Sequence, residues 1–248
     1  MSDLPDNTEI PELIRSFARS GPVELTIDQQ IALARFAELV AQWNPHAHFS
    51  RYRKPDAILR SLVLPSVALA TILPDSGKVV DLGSGPGIPG VPLAIARPGL
   101  DITCIDSSDL AAEFLKLAIE TLWLPSVRVY SGRAEVLGRE ETLSHHFDVA
   151  IARSFAPLPA TIEVASAFLD FGGMTVVQCA KDTTSRLVVH DSKALRAGSR
   201  FDRVGSISVA PTDLGPVYFV VYRKVKYPYE RYPRSWPLIK KRPLWPVE

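Results

Sequence analysis

Residues 81–90 read Asp-Leu-Gly-Ser-Gly-Pro-Gly-Ile-Pro-Gly. Glycines at 83, 85 and 87 let a backbone approach a ligand with no Cβ in the way. A carboxylate, Asp106, follows 19 residues after Gly87. At that distance an acid can accept hydrogen bonds from ribose hydroxyls. Asp81, Gly83, Gly85, Gly87 and Asp106 together fit a site for a nucleoside-containing cofactor. A P-loop is excluded, because no Gly-Lys-Ser/Thr follows the turn.

The same spacing serves two cofactor classes. A dinucleotide fingerprint wants a third glycine where Ile88 stands, which disfavours nicotinamide binding. An Asp two residues before a G-x-G-x-G turn resembles the S-adenosylmethionine-dependent methyltransferases instead.

These residues must be delivered by strands. Val79–Leu82 is a short buried-strand pattern, and Ile88–Ala96 reads as the helix after the turn. Its N-terminal N–H groups are expected to face the same crevice. Strands are predicted at Ile102–Asp106, Val127–Tyr130, Phe147–Ala152 and Met174–Cys179. Helices are predicted at Leu110–Leu122 and Pro159–Leu169. Such alternation predicts an α/β fold with a doubly wound, mostly parallel sheet. Ser185–Arg200 carries a weaker helical pattern. Ser206–Val209 and Tyr218–Tyr222 read as late strands able to pair antiparallel.

Upstream, residues 1–9 read as disordered. Pro11 could open a helix over Glu12–Arg19. Thr26 and Gln29 form a capping-box pattern before an amphipathic helix bearing Leu33, Phe36, Leu39, Val40 and Trp43. Ile58–Leu73 is predicted to be helical and bent or interrupted at Pro65. Downstream, five prolines in Tyr227–Glu248 leave no room for a long helix, so an extended arm is expected. The predicted organisation is a helical extension (1–75), a cofactor-binding domain (76–225) and a basic arm (226–248).

Hydrophobic residues make up 46% and charged residues 22% of the 248, an ordinary globular balance. Two cysteines, Cys104 and Cys179, cannot build a disulfide framework, so a reducing compartment is expected. No secretory or membrane-spanning pattern is visible. A cytoplasmic location is expected. Net charge is only +1, yet Arg223–Glu248 holds eight basic residues against two acids, leaving −5 on the rest. That asymmetry fits a polyanionic partner or a solvated tail. His145-His146 lacks Cys or carboxylate companions at ligand spacing, so a solvated loop is expected there and no metal.

On these residues the chain resembles the bacterial small-subunit (16S) ribosomal RNA guanine-N7 methyltransferases, also called the glucose-inhibited division protein B family. The resemblance is carried by Asp81–Gly90 followed by Val91-Pro92-Leu93-Ala94-Ile95-Ala96-Arg97-Pro98. Trp43-Asn44, Asp106-Ser107 with Phe114-Leu115, and Gly132-Arg133-Ala134-Glu135 extend it. Arg153-Ser154-Phe155-Ala156, Tyr232-Pro233-Arg234 and Lys241-Arg242-Pro243-Leu244 complete it. It implies a Rossmann-like class I methyltransferase sheet of seven strands with the last antiparallel. S-adenosylmethionine is the implied donor, and ribosomal RNA or the small ribosomal subunit the implied partner. By the same resemblance Gly83 and Ile88 line the cofactor, Ala134 and Glu135 sit at its adenine end, and Arg153 reaches cofactor or base. After Asp106 the chain departs from the family: Ser108–Glu113 stands where the family carries basic residues.

Guanine N7 has a free lone pair and no proton to lose, so transfer onto it needs alignment rather than a general base. A cation near O6 could orient the base, and Arg133 or Arg153 is expected there. Phe155 either stacks on a base or packs. In the arm, Arg234, Lys240, Lys241 and Arg242 are candidate RNA contacts among interleaved aromatic residues; packing of the arm over the domain is the other option. Two further readings are a same-fold methyltransferase with another RNA or small-molecule acceptor, and a silent RNA- or cofactor-binding relative.

Overall fold

A computed structural model describes residues 11–179, 201–209 and 215–245. Residues 1–9 and the helical pattern of Ser185–Arg200 lie outside the described residues. Val79, Val80, Asp81 and Leu82 are all buried, and a strand buried on both faces needs helices over each. The sheet meets that demand. Its strands are β1 (Gly77–Leu82), β2 (Leu100–Asp106), β3 (Val127–Ser131), β4 (Phe147–Arg153), β5 (Leu169–Cys179), β6 (Phe201–Val209) and β7 (Val217–Lys224). Their spatial order is β3-β2-β1-β4-β5-β7-β6. β1 through β5 pair in parallel, while β7 runs antiparallel to both β5 and β6. This is the expected seven-stranded doubly wound sheet with its last strand antiparallel. Strand order reverses between β1 and β4, where such sheets open a crevice beyond their carboxyl ends.

Alternate residues feed two cores. Val79, Ile102, Cys104, Val149 and Ile151 face one; Val80, Ile105, Ala150 and Ala152 face the other. The first core is covered by α1 (Glu12–Ser20), α2 (Ile27–Ala47), α5 (Gly90–Ala96) and α6 (Asp109–Thr121). Thr26 and Gln29 make the expected capping box at the start of α2. The Gln29 amide also donates to the Ile95 carbonyl at 2.8 Å, covering a free acceptor at the end of α5. Trp43 and Phe49 of the helical layer meet Phe114 of α6 at 5.4 and 5.2 Å between ring centres.

The segment expected to be a helix broken at Pro65 is a run of four short pieces. α3 (Pro55–Ile58) leads into a π-helical turn (Leu59–Val63), α4 (Leu64–Val67) and a 3-10 turn (Ala68–Thr71). Pro65 has no N–H, so it cannot satisfy the Ser61 carbonyl one turn back. Arg153 donates to that oxygen instead, at 3.0 Å, and to the Leu62 carbonyl at 3.3 Å.

The second core lies under α7 (Ala134–Leu137), α8 (Leu158–Phe168) and the arm. The arm packs back over the sheet and carries one short helix, α9 (Trp236–Lys241), with Ile239 and Trp245 buried. Its Arg234 grips the buried Glu163 of α8 through backbone N–H and Nε, both 2.9 Å from Oε1, with a second guanidinium bond to Oε2. Lys224, the last residue of β7, is fully buried. It donates to the Ser166 carbonyl at 3.0 Å and to the Leu169 carbonyl, a cation at the C-terminus of α8. Burial pushes its ammonium down to about 7. His145 is not the solvated loop residue expected. Its Nδ1 lies 2.9 Å from Lys224 Nζ, and burial lowers its pKa.

Removing one partner of a buried pair leaves the other charged and unsatisfied. Arg234→Ala should therefore cost about 3–5 kcal/mol in urea unfolding. Glu163→Leu combined with Arg234→Met should recover most of the loss. A single-variant cost below about 1 kcal/mol would mean the arm is anchored elsewhere.

Candidate active site

The turn after β1 is closed by its own hydrogen bonds. Gly83 and Ser84 N–H donate to the Ile105 carbonyl at 2.8 and 3.0 Å. Gly87 and Ile88 N–H donate to the Ser84 carbonyl at 2.8 and 2.9 Å. Gly85 N–H donates to Asp106 Oδ2 at 2.8 Å. α5 starts at Gly90 rather than Ile88. Its first amide is taken by Asp81 Oδ2 at 2.9 Å, so the expected display of helix N–H groups into the crevice is not made there.

Asp81 is wholly buried, and burial raises its carboxyl to about 7. Its Oδ1 has no hydrogen-bond partner. Cys104 lies behind the same turn, and burial pushes its thiol up. Asp81 therefore holds the turn to α5 from behind.

The glycines divide by role. Gly83 has φ +69°, and a Cβ there would stand 2.6 Å from Phe155 Cδ2. Gly87 has φ +83°, and a Cβ would meet Val91 and Leu115 at 2.5 and 2.7 Å, so it serves packing. At Gly85, φ +53°, nothing lies within 4 Å of a Cβ position; the backbone there faces open space. Ile88 is buried in the first core.

A cleft of about 230 Å³ opens beyond the strand ends. Its walls come from Gly83 after β1, Ile105–Ser107 at the end of β2, Gly132–Glu135 after β3, and Ser154-Phe155 after β4. Trp236 of α9 completes the lining. Asp106 accepts from Gly85 and Ser108 N–H, the second at 2.9 Å through Oδ1. Each oxygen keeps a further lone pair for a ligand hydroxyl. Ala134 and Glu135 are buried. Glu135 Oε1 accepts from Arg133 Nε at 3.0 Å. The arrangement fits an adenosyl group: acceptor capacity at Asp106, apolar walls at Ile105, Ala134 and Phe155, and the Cβ-free backbone of Gly83.

Several expected residues stand elsewhere. Arg153 is largely buried, its pKa lowered by burial, and its guanidinium is turned to Ser61 and Leu62. Arg234 is spent on Glu163. Lys240, Lys241 and Arg242 are exposed. Ser107, Gly132 and Ser154 directly follow lining or strand-end residues, so strand ends alone could have found them. Trp236 carried no such signal.

Among the described residues, no group of three or more His, Cys, Asp or Glu could hold a metal. No helix among them is long and apolar enough to cross a membrane.

Strand order, the antiparallel last strand and the cleft at the reversal define a class I methyltransferase fold. The protein TYW2 of Pyrococcus horikoshii, solved in complex with MeSAdo, shares this fold with a TM-score of 0.50 at 13% identity, over 65% of this chain and 62% of that one. The description "rRNA small subunit methyltransferase G" (GidB) matches residues 29–207, and the chain belongs to that family. Relatives of that name include one from Rubrobacter xylanophilus, 32% identical over 90% of this chain and 86% of its own. Another, from Streptococcus sanguinis, is 29% identical over 94% and 98%.

Asp81 gives a pH prediction. Its folded pKa, about 7, lies above an unfolded value of about 3.9. Between these the native chain holds a proton that the unfolded chain has lost, so stability falls as pH rises through the window. Asp81→Asn keeps an acceptor for Gly90 and removes the titration. The Tm of the wild-type chain should therefore drop more between pH 4 and pH 8 than that of the variant. Parallel drops would refute the buried, shifted carboxyl.

Proposed function

We propose that this chain transfers a methyl group from S-adenosylmethionine to guanine N7 in small-subunit ribosomal RNA. The observation that carries the reading is the cleft at the strand-order reversal, lined by Gly83, Asp106 and Ala134, in a chain of this family. The donor supplies a methyl group already activated by its sulfonium. The protein's share is to bind, align and exclude water. Asp106 accepts hydrogen bonds from the ribose hydroxyls. Ile105 and Ala134 pack the adenosine.

N7 gives up no proton, so no base is needed to receive one. That suits a cleft whose two carboxylates, Asp106 and Glu135, already accept N–H donors. Arg133 is half-exposed at the cleft and is the better placed cation for guanine O6, since Arg153 is engaged with the helical layer.

The acceptor is an assembled small subunit or its free RNA, and RNA is gripped by Lys240, Lys241 and Arg242 at the end of α9. A second reading, another RNA acceptor, draws on the residues after Asp106. Ser108 caps α6 there, and Asp109 accepts from Ser131 Oγ at 2.8 Å. The rim is thus acidic and engaged where the resembled family is basic.

Incubation with labelled S-adenosylmethionine and small subunits or ribosomal RNA lacking the modification tests the reading. 7-Methylguanosine, identified by nucleoside mass spectrometry, is expected. Cofactor binding with no label on any ribosomal RNA form would overturn it. Replacing Lys240, Lys241 and Arg242 together by Ala should weaken RNA binding and flatten its log–log salt dependence by about 2–3. S-adenosylhomocysteine affinity should stay unchanged. An unaltered salt slope would place the RNA contacts elsewhere.

A further inference from the structure

Trp236 is brought to the cleft from the far end of the chain. β3 and β4 end in loops that put Arg133 and Phe155 on two sides of the opening. The indole bridges them. The Arg133 guanidinium lies 4.9 Å from its ring centre, and the Phe155 ring 6.2 Å from it, tilted by 53°. Phe155 in turn is the ring that a Cβ at Gly83 would strike.

Trp236 is also held on both sides in sequence. Arg234 is fixed by the buried Glu163, and Ile239 is buried in the second core. The Arg139 guanidinium donates to the Pro233 carbonyl as well. A half-buried indole between two anchors loses little freedom when a ligand arrives.

A planar aromatic surface backed by a guanidinium suits a flat heteroaromatic ring. Two such rings come to this site, the purine of the methyl donor and the acceptor base. Trp236 lines the same cleft as Asp106, Ser107 and Ala134, the groups fitted to the donor nucleoside.

We propose that Trp236 is a cofactor-contacting residue: the C-terminal arm lays its indole across the opening of the cleft, where it covers the purine of the bound methyl donor. The inference rests on the methyltransferase reading and extends it, because it makes the arm part of the donor site. The RNA-facing basic residues of α9 then sit on the helix that also touches the donor.

Calorimetric titration of the full chain tests this with two probes, S-adenosylhomocysteine and 5′-methylthioadenosine, which lacks the amino-acid end. Trp236→Ala should bind both about tenfold more weakly, the range for a base stacked on an aromatic side chain. Trp236→Phe should keep most of the affinity, which separates lost stacking from a displaced arm. Indole fluorescence gives a second readout: the change that S-adenosylhomocysteine induces in the wild-type chain should largely vanish in Trp236→Phe while binding persists.

Wild-type affinity in Trp236→Ala for both probes would overturn the inference. So would weakening of S-adenosylhomocysteine alone, which would put the indole at the amino-acid end, or a rise in KM for RNA with donor affinity unchanged. A wild-type chain that binds neither probe would overturn the methyltransferase reading, and this inference with it.

Discussion

The hydrogen bond from Gly90 N–H to the buried carboxylate of Asp81 sets the geometry of the whole site. It ties the end of β1 to the first residue of α5 at 2.9 Å. The eight residues between must then form a closed turn, and they satisfy their amides on Ile105, Ser84 and Asp106. A turn that spends its donors on itself offers a ligand shape and close approach rather than a nest of N–H groups. Recognition has to come from the neighbouring strand ends. That is where Asp106, Ala134 and Phe155 stand. A carboxylate buried without a partner on Oδ1 is costly. Its raised pKa reports that cost, and the position of the turn is what the structure gains in exchange.

The strands of the parallel sheet were legible because β1, β2 and β4 are short apolar runs bounded by turn residues. Periodicity separates these from helices when the flanking glycines agree. The turn was legible for the same reason: three glycines between a strand and a helix have few other uses. Boundaries were less legible. β5 begins at Leu169, five residues earlier than its apolar pattern, because Leu169 pairs with Phe147 and the register shifts across Asp170-Phe171-Gly172-Gly173 before regular pairing resumes at Met174. α5 begins two residues late because Ile88 still belongs to the turn.

Roles that depend on distant contacts could not be read locally. Lys224 looks like one more cation of a basic tail. It is buried because α8 ends beside β7 and presents carbonyls there. Arg153 ends a strand at the cleft side of the sheet, where a functional cation is a fair expectation. Pro65, 88 positions earlier, leaves the Ser61 carbonyl without its helical donor, and Arg153 fills that place. Arg234 sits in a basic, aromatic stretch, yet the Glu163 beneath it decides its role. In each case a buried acceptor elsewhere in the chain claimed the cation. An exposed acceptor would have left it free for RNA.

The same logic constrains where RNA can be held. The stretch after Asp106 gives its polar groups to local structure: Ser108 to the cap of α6 and Asp109 to Ser131. An acidic first turn also suits the positive end of a helix, so basic residues at those positions would weaken α6 as they gained phosphate contacts. The exposed cations of α9 carry no such conflict. Lys240 and Lys241 lie in its last turn, where positive charge favours the helix, and Arg242 follows. The proposed grip at the arm, rather than at the rim of β2, would therefore align RNA attraction with helix stability. It would also put that attraction a few residues from Trp236, which lines the cleft.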